Sequence, residues 1–490
     1  MKQWLTVILG AALSCAAQPA NLGHIDFPTS GTPEAQKHFI QGMLLLHSFE
    51  YDDAREQFQA ASKLAPGFAM AYWGEALTYT HPLWMQQDVP AARAALARLA
   101  PTKEARLAAA PTEREKDYLR SVEALYGDGD KLARDLAYAA ALGRMHEKYP
   151  NDLEAASLYA LALMGTCQYQ RDAAVYMRAA SVAEEVFAKN PEHPGAIHYL
   201  IHAYDDPIHA PLGLRAARVY AKVAGAASHA QHMPSHIFIA LGMWDDVISA
   251  NILAVKVADD RIIAKGLKQD ARNYHALLWL EYGYLQEDRV ADAERVLADA
   301  ARTAGRVGQM RAVYAVETGS LDKLGDEAGP GPMMLPVVER LTARGMVEIH
   351  NGQTEAARKS LAEAQAKLTA GGGGAAPMPG MGMPNSGNDH KSAEIMVREL
   401  EALLLRADGK KDAALKMLAD AAAAEDAMTF EYGPPVPVKP VHELYGEVLL
   451  ADRNFKAAQE QFQKALERCP KRRLALQGLA RAEQGLRPPE

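Results

Sequence analysis

A helical pattern repeats along the chain. Residues 50–61 and residues 454–465 share an aromatic residue, an alanine, a phenylalanine and a second alanine at matched offsets, and a proline closes each unit. Apolar residues with this spacing form one stripe on a helix, and the proline ends the helix because it has no N–H to donate. A hairpin of such helices cannot bury its stripe alone, so neighbouring hairpins are predicted to stack. The same skeleton recurs in weaker form at Trp244/Val247/Asn251/Ala254, Val290/Ala293/Leu297/Ala300, Thr354/Ala357/Leu361/Ala364 and Lys411/Ala414/Leu418/Ala421.

The residues upstream of the first and last units also match, since Gly42 and Gly446 occupy the same position. A glycine there lets the first helix of a hairpin pack closely on its neighbours. The pattern resembles the tetratricopeptide repeat family; its central units are degenerate, and the segment from Trp244 to Val290 exceeds the family's period of roughly 34 residues. The resemblance covers most of residues 33–487, although parts of 85–190 and 303–335 are not assigned. It implies an all-α fold, an α-solenoid of tetratricopeptide-like helix hairpins whose first helices line a concave face.

The composition excludes several classes of protein. A net charge of −8 and a pI near 6.1 provide no broad positive field for nucleic acid. The mean hydropathy of −0.20 argues against a polytopic membrane protein. The apolar run from Trp4 to Leu13 has about half of the ~20 residues that a bilayer span needs, so no transmembrane span is predicted.

The first residues have the pattern of a secretory signal. Lys2 precedes the apolar run, and small residues follow it from Ser14 to Ala17. This pattern predicts a signal peptide at residues 1–17, cleaved after Ala17, and an exported protein that is periplasmic or secreted. A competing interpretation makes Cys15 a lipidated N-terminal cysteine, although the leucine usual three residues before it is replaced by Ala12.

Glycine- and proline-rich stretches divide the rest of the chain. Residues 370–390 contain four consecutive glycines and a run of Gly, Pro and Met, which predicts a linker or long loop. Residues 432–440 predict an extended, polyproline-like lead into the last repeat. The predicted helical segments are an N-terminal and central array at 33–316, a hairpin at 333–369 and C-terminal repeats at 391–487.

Histidines are concentrated in residues 193–236. His198 and His202 are four residues apart, so on a helix they share a face and can chelate one transition metal. Asp205 lies near the end of that helix as a further ligand or a residue that orients one. The predicted ligand set is His198, His202, Asp205, His209, His229, His232 and His236.

The repeat register places the second histidine group on a first helix. His229, His232 and His236 fall at positions that look into the groove in the family that the pattern resembles, and His275 follows in the next repeat. Pro234 opposes this placement, because a helix that starts at Pro234 leaves His229 and His232 in the preceding loop. The structural interpretation also stays open: a histidine on a helix is commonly a partly buried residue with one hydrogen bond, and His209 and His229 would suit turn caps.

Further residues are predicted to line the groove. The densest aromatic stretch supplies Trp73, Glu75, His81 and Trp84 as a pocket floor, with an inter-repeat core as the alternative. The repeat register adds residues from the first and last hairpins and from the repeat after the histidine group, namely His47, His275, Glu443 and Glu447.

These patterns predict a binding protein. We find no nucleotide-binding loop, nucleophile elbow or metalloprotease motif, and residues 194–251 resemble a segment of bacterial tetratricopeptide proteins that has no established activity. The first interpretation is a solenoid that holds a protein or peptide in its concave groove. The alternative is a metal-binding protein or metalloenzyme whose histidines bind zinc, copper or iron, which the ligand types do not separate. A weaker alternative is haem held by two histidines, without a CxxCH attachment motif.

Overall fold

The chain is a stack of α-helices. A computed structural model describes residues 21–168, 170–303, 307–325, 334–370, 388–430 and 433–487. The helices before the histidine-rich segment are α1 (Pro33–His47), α2 (Tyr51–Leu64), α3 (Ala69–Leu77), α4 (Val89–Leu99), α5 (Lys103–Ala109), α6 (Glu113–Leu125), α7 (Lys131–Lys148), α8 (Leu153–Gly165) and α9 (Ala173–Lys189). Two short strands, β1 (Thr80–His81) and β2 (Gln86–Gln87), flank a 3-10 turn at Pro82–Trp84.

The central helices carry the histidines. They are α10 (Pro194–Ala203), α11 (Ala210–Val223), α12 (Ser228–His232), α13 (Pro234–Ala240), α14 (Trp244–Lys265), α15 (Tyr274–Gln286), α16 (Val290–Thr303) and α17 (Gly308–Thr318), with a 3-10 turn at Gln269–Ala271. The C-terminal helices are α18 (Met334–His350), α19 (Thr354–Ala370), α20 (Asp389–Ala407), α21 (Lys411–Asp426), α22 (Val441–Ala451), α23 (Phe455–Arg468) and α24 (Arg473–Leu486). Among the described residues, no helix is long and apolar enough to cross a membrane.

The helices pair as the repeat pattern predicts. Each repeat of the skeleton begins a second helix of a hairpin, at α2, α14, α16, α19, α21 and α23. The small and apolar positions of the stripe are buried, as with Ala293, Leu297 and Ala300 on α16. Helix α14 has 22 residues, which accounts for the long central unit. The expected all-α solenoid of tetratricopeptide-like hairpins is confirmed by this arrangement.

Most of the predicted linker lies outside the described residues. Helix α19 ends at Ala370 and α20 begins at Asp389, and residues 371–387 between them are not described. The segment at 433–440 has no regular secondary structure before α22 begins, and the chain bends at most of its residues, whereas the sequence predicts an extended lead.

Side-chain caps fix where many helices begin. A hydroxyl, carboxylate or amide oxygen at the position before the helix accepts a hydrogen bond from a first-turn N–H, which otherwise has no intrahelical partner. The residues that do so are Thr32, Asp88, Thr102, Thr112, Asp130, Asp152, Asp172, Asn273 and Asn454.

Glycine and phenylalanine interlock in the first repeat. A Cβ on Gly42 would lie 2.7 Å from the Phe58 ring, and one on Gly74 would lie 2.4 Å from it. Gly446 and Gly478 enclose Phe462 in the last repeat in the same way. The glycines are therefore required because backbone and aromatic ring approach each other directly, as the sequence comparison of Gly42 with Gly446 predicts.

We expect Gly74→Ala to lower the free energy of unfolding by about 1–3 kcal/mol, because the added methyl group overpacks a filled site. Gly67→Ala is the matched control, since nothing lies within 4 Å of a Cβ at Gly67. Urea denaturation should give a lower midpoint for the Gly74 variant and an unchanged midpoint for the control. Equal midpoints for the two variants would contradict the interlocked packing.

The solenoid closes on itself at its N-terminal end. Helix α1 contacts α10 as well as α3, and α10 contacts α8 and α13. The segment before α1 forms hydrogen bonds with three other parts of the chain. Its Asn21 side chain donates to Lys222 O at 2.7 Å, the backbone N–H of His24 donates to Glu192 O at 3.0 Å, and that of Ser30 donates to a Glu115 carboxylate oxygen at 2.7 Å. First helices that would line an open groove therefore pack against one another.

The C-terminal repeat also packs on the central helices. The Trp244 ring N–H donates to Lys471 O at 3.1 Å. Arg472 is fully buried, and its guanidinium lies 2.7 Å from Glu443 and 2.5 Å from Glu317. It also donates to the Tyr282 hydroxyl at 2.9 Å, so one side chain joins α15, α17 and α22.

Candidate metal centre

Helix α10 supplies the first two histidines. Pro194 is at its first position, where a missing N–H costs nothing, and the His193 side chain accepts from Ala196 N at 3.2 Å. His198 and His202 are buried on this helix, one turn apart. At the C-terminal end of α10, the guanidinium of Arg171 donates a hydrogen bond to the backbone oxygen of His202 at 3.1 Å. This carbonyl would otherwise have no partner within the helix.

A kinked helix supplies the next three histidines. Residues 228–232 form α12, Met233 keeps helical dihedrals (φ −54°, ψ −36°), and α13 begins at Pro234. The backbone N–H of Met233 donates to His229 O at 2.9 Å, so Pro234 bends the helix without sending the preceding residues into a loop. His229, His232 and His236 therefore all lie on helical residues.

The fold gathers these histidines into two groups of three. The first triad is His198, His202 and His229, and the second triad is His232, His236 and His275. Within each triad the ligand nitrogens lie within 4.8 Å of one another. Asp205, between α10 and α11, completes a further group with His202 and His236 that connects the triads.

Oxygen acceptors orient three of the rings. His198 Nδ1 lies 2.6 Å from the backbone oxygen of His47, and His232 Nδ1 lies 2.6 Å from Asn251 Oδ1. His236 Nδ1 lies 2.5 Å from Asp205 Oδ2. Metal-binding histidines commonly have this arrangement, in which a backbone carbonyl or a carboxylate holds one ring nitrogen and directs the other to the ion.

The Nε2 atoms of His232 and His236 face each other at 3.1 Å. We assign each Nδ1 proton from its acceptor: the Asn251 amide nitrogen donates to Val247 O at 2.7 Å, so its oxygen points at His232. Two neutral rings with protonated Nδ1 atoms present lone pairs to each other. An extra proton or a metal ion between them would satisfy both.

The distances suit a shared ion. His198 Nε2 and His229 Nε2 are also close, at 3.2 Å. Two nitrogens bonded to one ion at about 2.1 Å, with an angle near 100°, would lie about 3.2 Å apart. Both pairs thus have the separation of neighbouring ligands in a coordination sphere.

The surroundings favour neutral imidazoles. His198 and His232 are fully buried, and His202 and His236 are nearly so. Burial, with the neighbouring imidazoles, lowers the pKa of His198, His202, His229 and His232 well below the usual value and that of His275 to about 3. A neutral imidazole has a lone pair available for a metal.

Aromatic rings enclose the cluster. Phe49 lies 4.2 Å from His198 between ring centroids, and Trp279 lies 4.4 Å from His236. The ring centroids of Trp84 and His229 lie 5.8 Å apart in an edge-to-face arrangement. The segment at 433–440 covers Trp279, because a Cβ on Gly433 would lie 2.8 Å from the Trp279 ring. The centre therefore has an apolar wall of the kind that excludes water from a metal site.

A neighbouring cluster places the imidazoles of His47 and His193 against the carboxylate of Glu154. Glu154 lies 2.7 Å from His47 Nε2 and 3.0 Å from His193 Nε2. His193 Nδ1 accepts a backbone N–H, so its proton faces the carboxylate. Burial alone would raise the pKa of Glu154, but the two histidines hold it below its usual value. A carboxylate therefore stands between the imidazoles here, whereas in the second triad two imidazole nitrogens face each other.

The structure places the remaining predicted ligand elsewhere. His209 lies 2.8 Å from Asp206, whose carboxylate also caps the backbone N–H of Ile208. His209 therefore belongs to the turn before α11, as the structural interpretation of this residue has it. His275, which the sequence places in the groove, is instead a member of the second triad.

Four of the eight predicted groove residues are buried within the fold, namely His47, Trp73, Glu75 and Glu443. Trp73 packs on Phe27 and Tyr118 in the core, and Glu75 accepts from Gln59 at 2.9 Å and pairs with Arg98. The reason is that the first helices close on one another, so their inner faces meet protein. The other groove residues are engaged as follows: His47 with Glu154, His81 stacked on Tyr51, Trp84 against His229, Glu443 with Arg472 and Lys439, and Glu447 with Lys439.

Fold and site together define an α-solenoid with an enclosed cluster of imidazoles. No family model matches the sequence, and no curated protein matches it significantly. Among solved structures, the chain is similar to yeast Tom70, at 12% identity over 92% of this chain and 95% of that one, with a TM-score of 0.35. It is also similar to the TPR domain of P58(IPK), at 13% identity over 92% and 98% with a TM-score of 0.22, and to the Cut9–Hcn1 complex of the APC/C, at 13% over 93% and 78% with a TM-score of 0.35. These TM-scores are low, and the fold assignment rests on the hairpins of the chain itself.

Sequence reasoning missed the residues that orient the rings. Asn251 occupies the position of the repeat skeleton that holds phenylalanine or leucine in the other units, such as Phe58, Leu297 and Phe462. A polar residue at a buried stripe position is a signal that could have identified it, because such a residue needs a hydrogen-bond partner. The backbone oxygen of His47 has no signal in the sequence.

Proposed function

We propose that this protein binds a transition metal ion through the buried histidines of α10, α12, α13 and α15. The observation that carries the proposal is the pair of Nε2 atoms of His232 and His236, which face each other at 3.1 Å while Asn251 and Asp205 hold the opposite ring nitrogens. A cation between the two nitrogens would bind both lone pairs and remove the repulsion between them. The alternative is a proton between the two nitrogens, and metal analysis distinguishes the two.

The donor atoms limit the metal. Imidazole nitrogens suit zinc, copper and iron, whereas calcium and magnesium prefer oxygen ligands. The two cysteines in the described residues, Cys167 and Cys469, are free and are not members of the triads. We therefore propose zinc, copper or iron as the bound ion, with histidine as the main ligand.

A small pocket lies next to the site. It has a volume of about 40 Å³ and is lined by Asp205, Tyr282, Gly433 and Cys469, among others. The pocket contacts Asp205, which holds His236. At about 10–15 Å³ for each water molecule, it has room for a few waters beside the cluster.

Metal analysis tests the proposal. Protein purified without a nickel column should contain stoichiometric zinc, copper or iron by inductively coupled plasma mass spectrometry. Protein stripped by chelator should rebind the ion in a titration against a competing chromophoric chelator. A metal-free protein whose stability and affinity are indifferent to all three ions would overturn the proposal in favour of the protonated cluster.

We expect Asn251→Leu to weaken metal binding by about 10–100-fold, the usual cost of removing a residue that orients a ligand. Leucine occupies this skeleton position in α16, α19 and α21, so the helix should still pack. Asn251→Asp is the control, because it keeps an oxygen acceptor for His232 Nδ1. Competition titration measures both affinities. Equal affinity in the leucine variant and the wild type would contradict the role of Asn251.

Two expectations from the sequence stay predictions. A protein or peptide partner in a concave groove would have to contact surfaces other than the buried residues described above. Export to the periplasm or beyond depends on residues 1–17, and lipidation depends on Cys15; all of these lie outside the described residues.

A further inference from the structure

We infer that the centre holds two metal ions, one in each histidine triad, rather than one ion. This inference rests on the proposed metal binding and deepens it. The first triad is His198, His202 and His229, and the second triad is His232, His236 and His275.

Each triad has its own pair of closely spaced nitrogens. The pair in the first triad is His198 Nε2 and His229 Nε2, at 3.2 Å, and the pair in the second is His232 Nε2 and His236 Nε2, at 3.1 Å. No residue is shared by the two pairs. Among the described residues, the histidine nitrogens that lie within 4.8 Å of one another form two separate groups of three, and neither group contains a ring of the other close pair. Each pair has the spacing of two ligands on a single ion.

Each triad is also supported separately. His198 is oriented by the backbone oxygen of His47, whereas His232 and His236 are oriented by Asn251 and Asp205. The backbone N–H of His229 donates to the partly buried carboxylate of Glu50 at 3.2 Å, which fixes the start of α12 beside the first triad. Each close pair therefore has at least one ring with its own orienting acceptor, as histidine ligands commonly do.

The two ions would be neighbours. Asp205, His202 and His236 have ligand atoms within 4.8 Å of one another, and His202 and His236 belong to different triads. Ions bonded to these two histidines at about 2.1 Å would lie no more than about 9 Å apart. Three protein ligands per ion leave a fourth position, as in catalytic zinc sites, and water or hydroxide is the small ligand that fits there.

Two single variants separate the triads. His229→Gln removes a ligand from the first triad only, and His275→Gln removes one from the second only. Both side chains are partly exposed at the edge of the cluster, so substitution there should leave the fold intact, which circular dichroism checks. His390→Gln is the control, because this histidine is exposed on α20 and pairs with Glu394.

Titration of the stripped full-length chain with Cu²⁺ measures the stoichiometry. The wild type and His390→Gln should bind two ions per chain with histidine-like spectra, and each triad variant should bind one tightly. In the wild type, electron paramagnetic resonance should show coupling between the two Cu²⁺ ions, which should be absent in both triad variants. One ion per chain in the wild type would overturn the two-ion inference and leave the proposed function standing, whereas no bound ion would overturn both.

Discussion

The double variant His198→Gln/His232→Gln should bind no transition metal at concentrations that saturate the wild type. Each substitution removes one nitrogen from a close pair, so each triad loses its close pair and keeps only two of its three histidines. The wild type should also lose stability when it is stripped, because an ion that binds only the folded state stabilises it by about 4 kcal/mol at a thousandfold excess over Kd. Thermal unfolding of both proteins, with and without chelator, measures the effect.

The matched control is His209→Gln/His390→Gln. Both histidines have a carboxylate partner outside the triads, and His209 belongs to the ligand set that the sequence predicts. The control should keep its metal and its response to chelator, while chelator should not change the double variant of the triads. A triad variant that still responds to chelator would show that the ion binds elsewhere.

Replacement of Arg472 by methionine should lower the free energy of unfolding by about 3–5 kcal/mol, the usual cost of removing one partner from a buried ion pair. The guanidinium is fully buried between Glu317 and Glu443, and methionine leaves their carboxylates without it. Because Arg472 joins the C-terminal repeat to α15, hydrogen exchange in α22 to α24 should also accelerate. Urea denaturation and exchange mass spectrometry measure the two effects.

Arg481→Met provides the comparison, since this arginine is exposed on the last helix. It should change the free energy of unfolding by no more than about 0.5 kcal/mol. If both arginine variants unfolded at the same urea concentration, the buried pairs of Arg472 would contribute little, and the docking of the C-terminal repeat would need another cause.

The repeat skeleton predicted the hairpins because packing within a hairpin is local. A second helix that begins at Trp244 or Phe455 is recognisable from the apolar stripe that follows it and from the glycine that lies opposite. Gly42 and Gly446 occupy the same repeat position because each packs its backbone directly on a phenylalanine ring, that of Phe58 or Phe462.

The closure of the solenoid could not be predicted in the same way. The contact of α1 with α10 depends on small rotations between many hairpins, which accumulate along the stack and leave no mark in any single repeat. An open groove was therefore the natural expectation for Trp73 and Glu443, and the structure buries both.

The candidate site was predictable in part. The spacing of His198 and His202 placed them on one face of a helix, and the repeat register placed His232 and His236 on a helix that faces the groove. The structure brings these side chains together. The register also put His275 on the next inner helix, but it did not show that this ring meets His232, because the distance between helices is set by their packing. His209 was included on sequence proximity alone, and its turn directs it to Asp206.

X-ray absorption at the metal edge of the natively purified protein tests the central claim most directly. The account predicts a first shell of nitrogen at about 2.0–2.1 Å, with the outer-shell scattering that imidazole rings produce. A sulfur shell near 2.3 Å, a shell of oxygen without imidazole scattering, or no edge signal for zinc, copper or iron would contradict it.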